Sequence, residues 1–492
     1  MEFRDSLQIF HSKLEAIGKM VGIMKGHEAL RAGVDQVLMD YCITDCEICG
    51  KAMIYYWNMC REKTHNQINF GWMTSASTAY NLWKKFAMGK LNMTANEYNE
   101  KFTMEGAPDW LRSCYKGATP LLDPEIVWEI LEDILVFDVN SMYPFMMATQ
   151  WLPIGKGEPI TEDELRQCDF KLKGAVWCAK VRMHIQIKEG KRACFLVKDG
   201  SDDGTLRISV GDDEIHYITN VDYRLIKENY DIYYFEIEEA VKYNAVRGLP
   251  AKFIREWYKI KTDAGKNGDN ALKIFAKLVL NSLYGKFGSN TIFDEYDYAF
   301  NEETERISVV NTGVSKSKTV FYLPWAVWTT SYARLLITRA INALGWDNVC
   351  YTDTDSLHVH GLDAATCVKR LNSVGINVGP VELGDFKLET KHRINGVYIK
   401  NKWYAHAYAE DGEGYKKGEI EEFKSAGANV HNIKTIEEVN RLMDVRQRRA
   451  FKTKGGKVLY DSPIDLTKDD KKTRFRMGCR TEADLKSSQN GV

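Results

Sequence analysis

The run Val349-Cys350-Tyr351-Thr352-Asp353-Thr354-Asp355-Ser356-Leu357-His358-Val359 decides the reading of this chain. Short β-prone segments flank two aspartates spaced two residues apart, so a tight strand-turn-strand presents both carboxylates at a hairpin tip. Hard oxygen ligands on that scaffold suit Mg²⁺. Most D-x-D pairs are solvated turns, and the metal reading therefore needs support elsewhere. Ile134-Leu135-Val136-Phe137 supplies it: a short apolar strand ending at Asp138 and continuing into Val139-Asn140-Ser141-Met142-Tyr143-Pro144. An aspartate closing a buried strand is costly unless it is hydrogen-bonded or holds a cation. Asp138 is the natural third carboxylate for the hairpin.

Between these two segments lies the most informative helix, expected from about Ala271 to Leu283 and ended by Gly285. Lys273, Lys277, Asn281 and Tyr284 fall at spacings of four, four and three, which puts them on one stripe, while Ile274, Phe275, Leu278 and Val279 face a core. Cations for phosphate and an aromatic face for a base suit a nucleoside triphosphate; an isolated helix with this pattern would read as an ordinary solvated face. Lys261 on the preceding helix adds a third cation. Acidic residues in two separated strands and a lysine-rich helix together define a phosphoryl-transfer site. Two metals held by Asp138 and Asp355 would act on the attacking 3′ oxygen and the pyrophosphate leaving group, with Lys277 and Lys261 neutralising triphosphate charge.

The rest of the chain frames this constellation. At 492 residues it is too long for one simple core. A net charge of −1 gives no overall basic signature, though a local groove can be basic within a balanced chain. No apolar run approaches a membrane span and Met1-Glu2-Phe3-Arg4-Asp5 opens no signal peptide, so a cytoplasmic location is expected. The 11 cysteines lack framework spacing and suggest reduced thiols. Cys42, Cys46 and Cys49, with Cys60 and His65 beyond, admit a zinc reading, but buried core thiols on one helical face fit better. Residues 1 to about 105 read mostly as helix, with Tyr41 and Asp45 sharing a face at i, i+4. Tyr115-Lys116-Gly117-Ala118 forms a small-residue turn. Residues 150 to about 248 read as an α/β insertion with a Gly/Asp-rich loop at 199–204, 290 to about 320 as a polar β-hairpin, and Pro324 to Leu344 as a helix. Strands around Val397-Tyr398-Ile399 and Lys402-Trp403-Tyr404 put Lys402 and Tyr404 on one face, a pair suited to a nucleic-acid backbone. Arg446, Arg448, Arg449, Lys452, Lys454 and Lys457 form the strongest basic cluster. A polar tail, expected to be disordered, starts near Lys468.

Three segments read in order as DVNSMYP from Asp138, KLVLNSLYGKFG from Lys277 and YTDTDS from Tyr351. In that combination the chain resembles a protein-primed family B DNA polymerase of the kind encoded by phages and linear plasmids. Tyr115-Lys116-Gly117-Ala118, the run ITNVDYRLIKENYD from Ile218, the K-x-Y element at Lys402 and the run GGKVLYD from Gly455 extend the match from Tyr41 to about Leu466. The resemblance implies an α+β right-hand polymerase (palm, fingers, thumb) with two insertions and a partial N-terminal exonuclease-like domain. The divisions implied are an exonuclease remnant over 1–65, palm over 66–149 and 321–426, a terminal-protein-type insertion over 150–248 and fingers over 249–288. A second insertion hairpin over 289–320, a thumb over 427–466 and the tail over 467–492 complete them.

Residue by residue, the resemblance implies that Asp138, Asp353 and Asp355 are catalytic. With the Val139 carbonyl they would hold two Mg²⁺ ions, Mn²⁺ being able to substitute. Tyr143 would stack under the incoming sugar and exclude a 2′-hydroxyl. Lys261, Lys273 and Lys277 would grip the triphosphate, and Asn281 and Tyr284 would line the nascent pair. Tyr115, Gly117, Ala118, Gly285, Lys402 and Tyr404 would hold template or primer. The implied partners are template-primer DNA, dNTPs and a terminal protein that serves as primer, with the polymerase a monomer. The second insertion matches the hairpin to which the family owes processivity and strand displacement. Tyr41 and Asp45 match the third motif of the family's proofreading exonuclease, whose first two motifs would lie upstream of Met1, so polymerisation without proofreading is expected of this chain. A non-catalytic DNA- or terminal-protein-binding accessory is the alternative, and retention of the acids and the lysine stripe argues against it. A reverse transcriptase or RNA polymerase is disfavoured by the DTDS spelling and by Tyr143.

Overall fold

The computed structural model of the chain describes residues 17–18, 21–24, 36–63, 74–197, 205–211, 214–290, 292–301, 306–316, 321–425, 434–436, 439, 450–452 and 458–460. The loop at 199–204, the tail and, of the basic cluster, Arg446, Arg448, Arg449, Lys454 and Lys457 lie outside them, as does most of the region expected as thumb.

Strand pairing brings the two acidic segments together. Val349–Asp353 and Ser356–Val359 form an antiparallel hairpin, and Ser356–Val359 pairs in turn with Leu135–Val139, placing Ser356 opposite Asp138. The five-stranded sheet runs Leu121–Leu122, Val349–Asp353, Ser356–Val359, Leu135–Val139, Phe386–Leu388. Period-2 alternation divides its side chains between two cores. Phe137, Val139, Val349, Leu357, Val359 and Phe386 join the main core, whereas Cys350 and Tyr351 pack behind the sheet with Ile134, Ile394, Tyr398 and Tyr404. A register shift between Val349 and Tyr351 is what turns Cys350 and Tyr351 to the same side.

The helix Leu323–Leu344 lies in the main core and is buried along most of its length. Its buried hydroxyls at Thr329 and Ser331 are satisfied by the helix's own carbonyls: Thr329 Oγ1 donates to Trp325 O (2.6 Å) and Ser331 Oγ to Val327 O (3.0 Å). Its indoles tie it to neighbours, Trp325 Nε1 donating to Pro153 O (2.9 Å) and Trp328 Nε1 to Asn220 Oδ1 (2.8 Å). Residues 150–248 fold as a second antiparallel sheet, with Tyr230–Arg247 between Trp151–Pro159 and Ala175–Ile187, plus the helix Asn220–Asn229. Ile292–Asn301 and Arg306–Lys316 form the expected hairpin. Behind the aspartates, Ile394–Lys400 and Trp403–Tyr408 pair within a four-stranded sheet. The molecule is mixed α+β, and among the described residues no helix is long and apolar enough to cross a membrane.

Three local expectations are corrected. The lysine helix runs Asn270–Phe287, so Gly285 lies inside it and Gly288 caps it. Only glycine fits there, since a Cβ on Gly288 would sit 2.7 Å from the Tyr115 ring. On that helix Ile274 is 38% exposed; the buried face is Phe275, Ala276, Val279, Leu280 and Leu283. Cys42 and Cys46 are exposed and Cys49 is half-buried rather than core thiols, because the helix Gln36–Lys63 buries the competing row Ile48, Ala52 and Tyr56. Among the described cysteines none is in a disulfide, and no cluster of three or more His, Cys, Asp or Glu able to hold a metal occurs among the described residues.

Candidate active site

Asp138 and Asp355 meet across adjacent strands, with the Val139 N–H donating to Asp355 O (2.9 Å). The Asp138 carboxyl is pushed up to about 7, first by burial and then by the neighbouring charges of Asp355 and Glu389, against the pull of Lys277 and Lys387. Burial also raises the Asp355 carboxyl, with Asp353 adding to it and Lys277 opposing. Two half-buried carboxylates, one raised further by the charge of the other, are the arrangement a divalent cation relieves, and oxygen donors suit a hard one. Asp353, expected beside these two, has the Lys402 ammonium nearby (Nζ–Oδ1 3.8 Å) and accepts from the Thr354 hydroxyl (3.2 Å).

Lysines gather on the other side. Lys261, from the helix Ala251–Lys266, donates to Ser141 Oγ (2.9 Å). Its ammonium is depressed to about 8 by burial, then by Lys277 and Lys273, with Asp138 pulling it back up. Three mutually repelling cations beside two carboxylates form a site that favours a polyanion. Tyr143 stacks on Tyr284 with ring centroids 4.2 Å apart and 32° between planes, and burial, followed by Tyr115, raises the Tyr284 phenol to about 12. Asn281 is exposed one turn earlier on the same helix.

Backbone strain collects here as well. Ser141 (φ 55), Thr354 (φ 63) and Lys402 (φ 65) are non-glycine residues in the left-handed region, where each costs on the order of 1–2 kcal/mol. Ser141 holds Lys261, Thr354 forms the aspartate turn, and Lys402 closes the turn between Ile394–Lys400 and Trp403–Tyr408. The Lys402 N–H donates to the buried Tyr351 hydroxyl (2.8 Å), which fixes the strained turn to the aspartate hairpin.

Tyr404 does not share an open face with Lys402. It is 8% exposed, packed against Tyr351, His358 and His406, because an aromatic cluster covers the sheet on that side. Tyr115 lies against Gly288, Lys116 is buried, Gly117 is exposed and Ala118 half-buried. Tyr41 and Asp45 are on the helix Gln36–Lys63, which meets the lysine helix through Tyr56 against Phe275 (5.2 Å). Asp45 is eleven residues, about 16 Å of helix rise, before that contact. Sequence reading missed Lys387, opposite Asp138 in register and paired with Glu389 (2.7 Å), although Phe386-Lys387-Leu388-Glu389 alternates as a strand should. It also missed Ser141, Tyr351 and Arg334.

The DNA polymerase of Bacillus phage PZA is 32% identical over 305 residues, 60% of this chain and 49% of that protein. The DNA polymerase of Streptococcus phage Cp-1 is 26% identical over 498 residues, 96% of this chain and 80% of its own length. The structure of Phi29 DNA polymerase complexed with primer-template DNA and incoming nucleotide superposes with a TM-score of 0.70 at 24% identity, covering 93% of this chain and 79% of that one, a likeness of fold. The chain spans about half the length of the phage PZA and phi29 polymerases that it matches. Residues 23–370 match the family model for DNA polymerase type B, organellar and viral. On that match the chain belongs to the organellar and viral type B DNA polymerases.

Proposed function

We propose that this chain is a template-directed DNA polymerase that transfers a nucleotidyl group from a dNTP to a 3′-hydroxyl at the Asp138–Asp355 centre. The observation that carries the reading is the meeting of these two carboxylates, from strands more than 200 residues apart in sequence, beside the Lys261–Lys273–Lys277 cations. Asp138, Asp355, the Val139 carbonyl and Asp353, once released by Lys402, would hold a pair of Mg²⁺ ions, for which Mn²⁺ can substitute. That pair supplies positive charge at the reacting phosphate and the attacking oxygen.

The chain's own residues do the rest. Lys261 and Lys277 bind the triphosphate and, with Lys273, offset its charge. Tyr143, braced by Tyr284, forms the wall beneath the sugar, with Asn281 at the rim of the nascent pair. Lys402, held by Tyr351, contacts the primer backbone; Tyr404 supports that turn from behind; Tyr115, Gly117 and Ala118 meet the template, with Gly285 beside them on the lysine helix. The aspartate sheet serves as palm, 249–288 as fingers, and the 292–316 hairpin as the element that encircles DNA for processivity and strand displacement. The unit at 150–248 is the docking region for a terminal protein whose hydroxyl primes synthesis, and the polymerase acts as a monomer in the host cytosol.

Single-nucleotide addition to a primed template, with each dNTP supplied alone and Mg²⁺ present, tests the reading. Addition of only the complementary nucleotide supports it; DNA binding without any addition would make the chain an accessory. In the same assay Lys261→Met is expected to raise the dNTP KM about 10- to 100-fold, the scale of a lost charge-assisted contact, with the Kd for primed DNA within about twofold. Tyr143→Val removes the wall under the sugar and should raise ribonucleotide over deoxynucleotide use about 10²-fold, read as the ratio of kcat/KM values.

A further inference from the structure

Tyr258 lies three residues before Lys261 on the helix Ala251–Lys266, 8% exposed, and meets two different partners. The Lys261 ammonium sits over its ring, 4.7 Å from the centroid, and its hydroxyl donates to Val381 O (2.5 Å). A spacing of three puts both side chains on one face of the helix. Val381 belongs to the segment before the strand Phe386–Leu388, and that segment is fastened to the backbone just after Asp138. Gly384 N donates to Asn140 O (2.9 Å) and Asn140 N to Asp385 O (2.9 Å), while Phe386 pairs with Val139. Gly384 takes φ 87, and a Cβ there would lie 2.3 Å from the Phe145 ring, so the segment has little room to shift. Through the Tyr258 hydroxyl the helix carrying Lys261 is therefore tied to the chain carrying Asp138.

A ring under this ammonium has a chemical reason. Lys261 is half-buried, feels the charges of Lys277 and Lys273, and gives one hydrogen bond to Ser141 Oγ (2.9 Å). A carboxylate in the ring's place would pair with the ammonium and compete with an incoming phosphate. The negative face of an aromatic ring attracts a cation without carrying net charge, and does so more strongly where water is displaced. Ser141 takes only one of the three N–H donors, which leaves donors for a phosphate. The hydroxyl is a dependable donor, since burial, followed by Glu382 and Asp385, raises the phenol to about 12.

We propose that Tyr258 is a positioning residue for the triphosphate: its ring aims the Lys261 ammonium at the nucleotide, and its hydroxyl, through Val381, fixes that ammonium relative to Asp138. The proposal rests on the polymerase reading for the identity of the polyanion. Tyr258 acts through Lys261 without touching nucleotide or DNA, and it sets nucleotide affinity rather than DNA affinity.

The test is titration of mant-dATP, a fluorescent nucleotide, into the full chain on a primer-template with a templating thymine and a primer lacking its 3′-hydroxyl, in Mg²⁺. Tyr258→Met removes ring and hydroxyl and is expected to raise the Kd for mant-dATP about tenfold, with the Kd for primed DNA within about twofold. Tyr258→Phe keeps the ring and should recover most of the loss, remaining about two- to threefold weaker than wild type. In a Lys261→Met background, Tyr258→Met should change the Kd by less than about twofold, because the tyrosine acts through that ammonium. A folded Tyr258→Met that binds mant-dATP like wild type overturns the proposal, as does a loss that Tyr258→Phe does not relieve or that persists at full size in Lys261→Met. Should Tyr258→Met fail to fold, Tyr258→Phe carries the test: weaker binding that vanishes in the Lys261→Met background supports the proposal, and unchanged binding overturns it. Failure of both to fold overturns it in favour of a purely structural role. Wild type that binds mant-dATP but extends no primer overturns the catalytic reading and leaves the Tyr258 comparison intact, and wild type that binds no nucleotide overturns both.

Discussion

Asp355→Asn is expected to slow nucleotide addition by about 10³-fold or more, while the Kd for primed DNA in EDTA stays within about twofold of wild type. The amide keeps the shape of the side chain and removes its charge. Asp138→Asn should do the same, and the double variant should be no slower than either single, since groups that act as one unit are strongly non-additive. Two independent sites would instead multiply their losses. Stability should move the other way. Asp138 is raised to about 7 by burial and by Asp355, and burial and Asp353 raise Asp355, so both carboxylates are burdened in the folded state. Neutralising either is expected to stabilise the fold by on the order of 1 kcal/mol, seen as a higher Tm without metal. Slower addition with unchanged or lower Tm in both variants would contradict this burden.

Arg334→Met should cost about 3–5 kcal/mol of stability, the scale for leaving one partner of a buried ion pair uncompensated. Asp222 would remain buried with Lys116 as its neighbouring cation, and the carbonyls of Lys116 and Gly117 would lose this donor. The pH dependence identifies the cause. Burial alone would raise the Asp222 carboxyl; Arg334 and then Lys116 overcome it and hold it below its ordinary value. A depressed carboxylate contributes stability above its unfolded pKa, about 4, and that contribution is lost as pH falls through the lower folded value. Wild type should therefore lose stability on acidification below about pH 4. In Arg334→Met this part of the acid loss should shrink or reverse, because Asp222 would then gain by protonation. Urea titrations from pH 3 to 7 read both the size and the slope, and a parallel acid loss in the two proteins would remove Asp222 from the account.

The carboxylate centre was legible because it is written locally. Val349 to Val359 and Ile134 to Asp138 are short β-prone runs ending in acid, and their type needs no long-range information. The lysine stripe was legible for the same reason, through a period near 3.6. Its end was misplaced because Gly285 is tolerated inside a packed helix, whereas the need for Gly288 comes from Tyr115, more than 170 residues away in sequence. Lys387 went unnoticed since a three-residue strand gains its place only by pairing with Leu135–Val139. Tyr404 looked like a surface partner of Lys402, and nothing local says that Tyr351, His358 and His406 cover it. Cys42, Cys46 and Cys49 competed with Ile48, Ala52 and Tyr56 for the buried face of one helix, and the larger apolar row won. Arg334 carried a readable signal: a cation in the apolar run Tyr332-Ala333-Arg334-Leu335-Leu336-Ile337 calls for a buried carboxylate, though not for which one.

The central claim is that Asp138 and Asp355 form one cation-binding, nucleotidyl-transfer centre. Iron-mediated backbone cleavage tests it most directly, with Fe²⁺ and a reductant in place of Mg²⁺ and the cut sites read by mass spectrometry. Paired cuts close to residues 138 and 355, suppressed by excess Mg²⁺ and lost in both Asp138→Asn and Asp355→Asn, are the predicted result. Cuts at one segment without the other, or Mg²⁺-sensitive cuts confined to other parts of the chain, would contradict it.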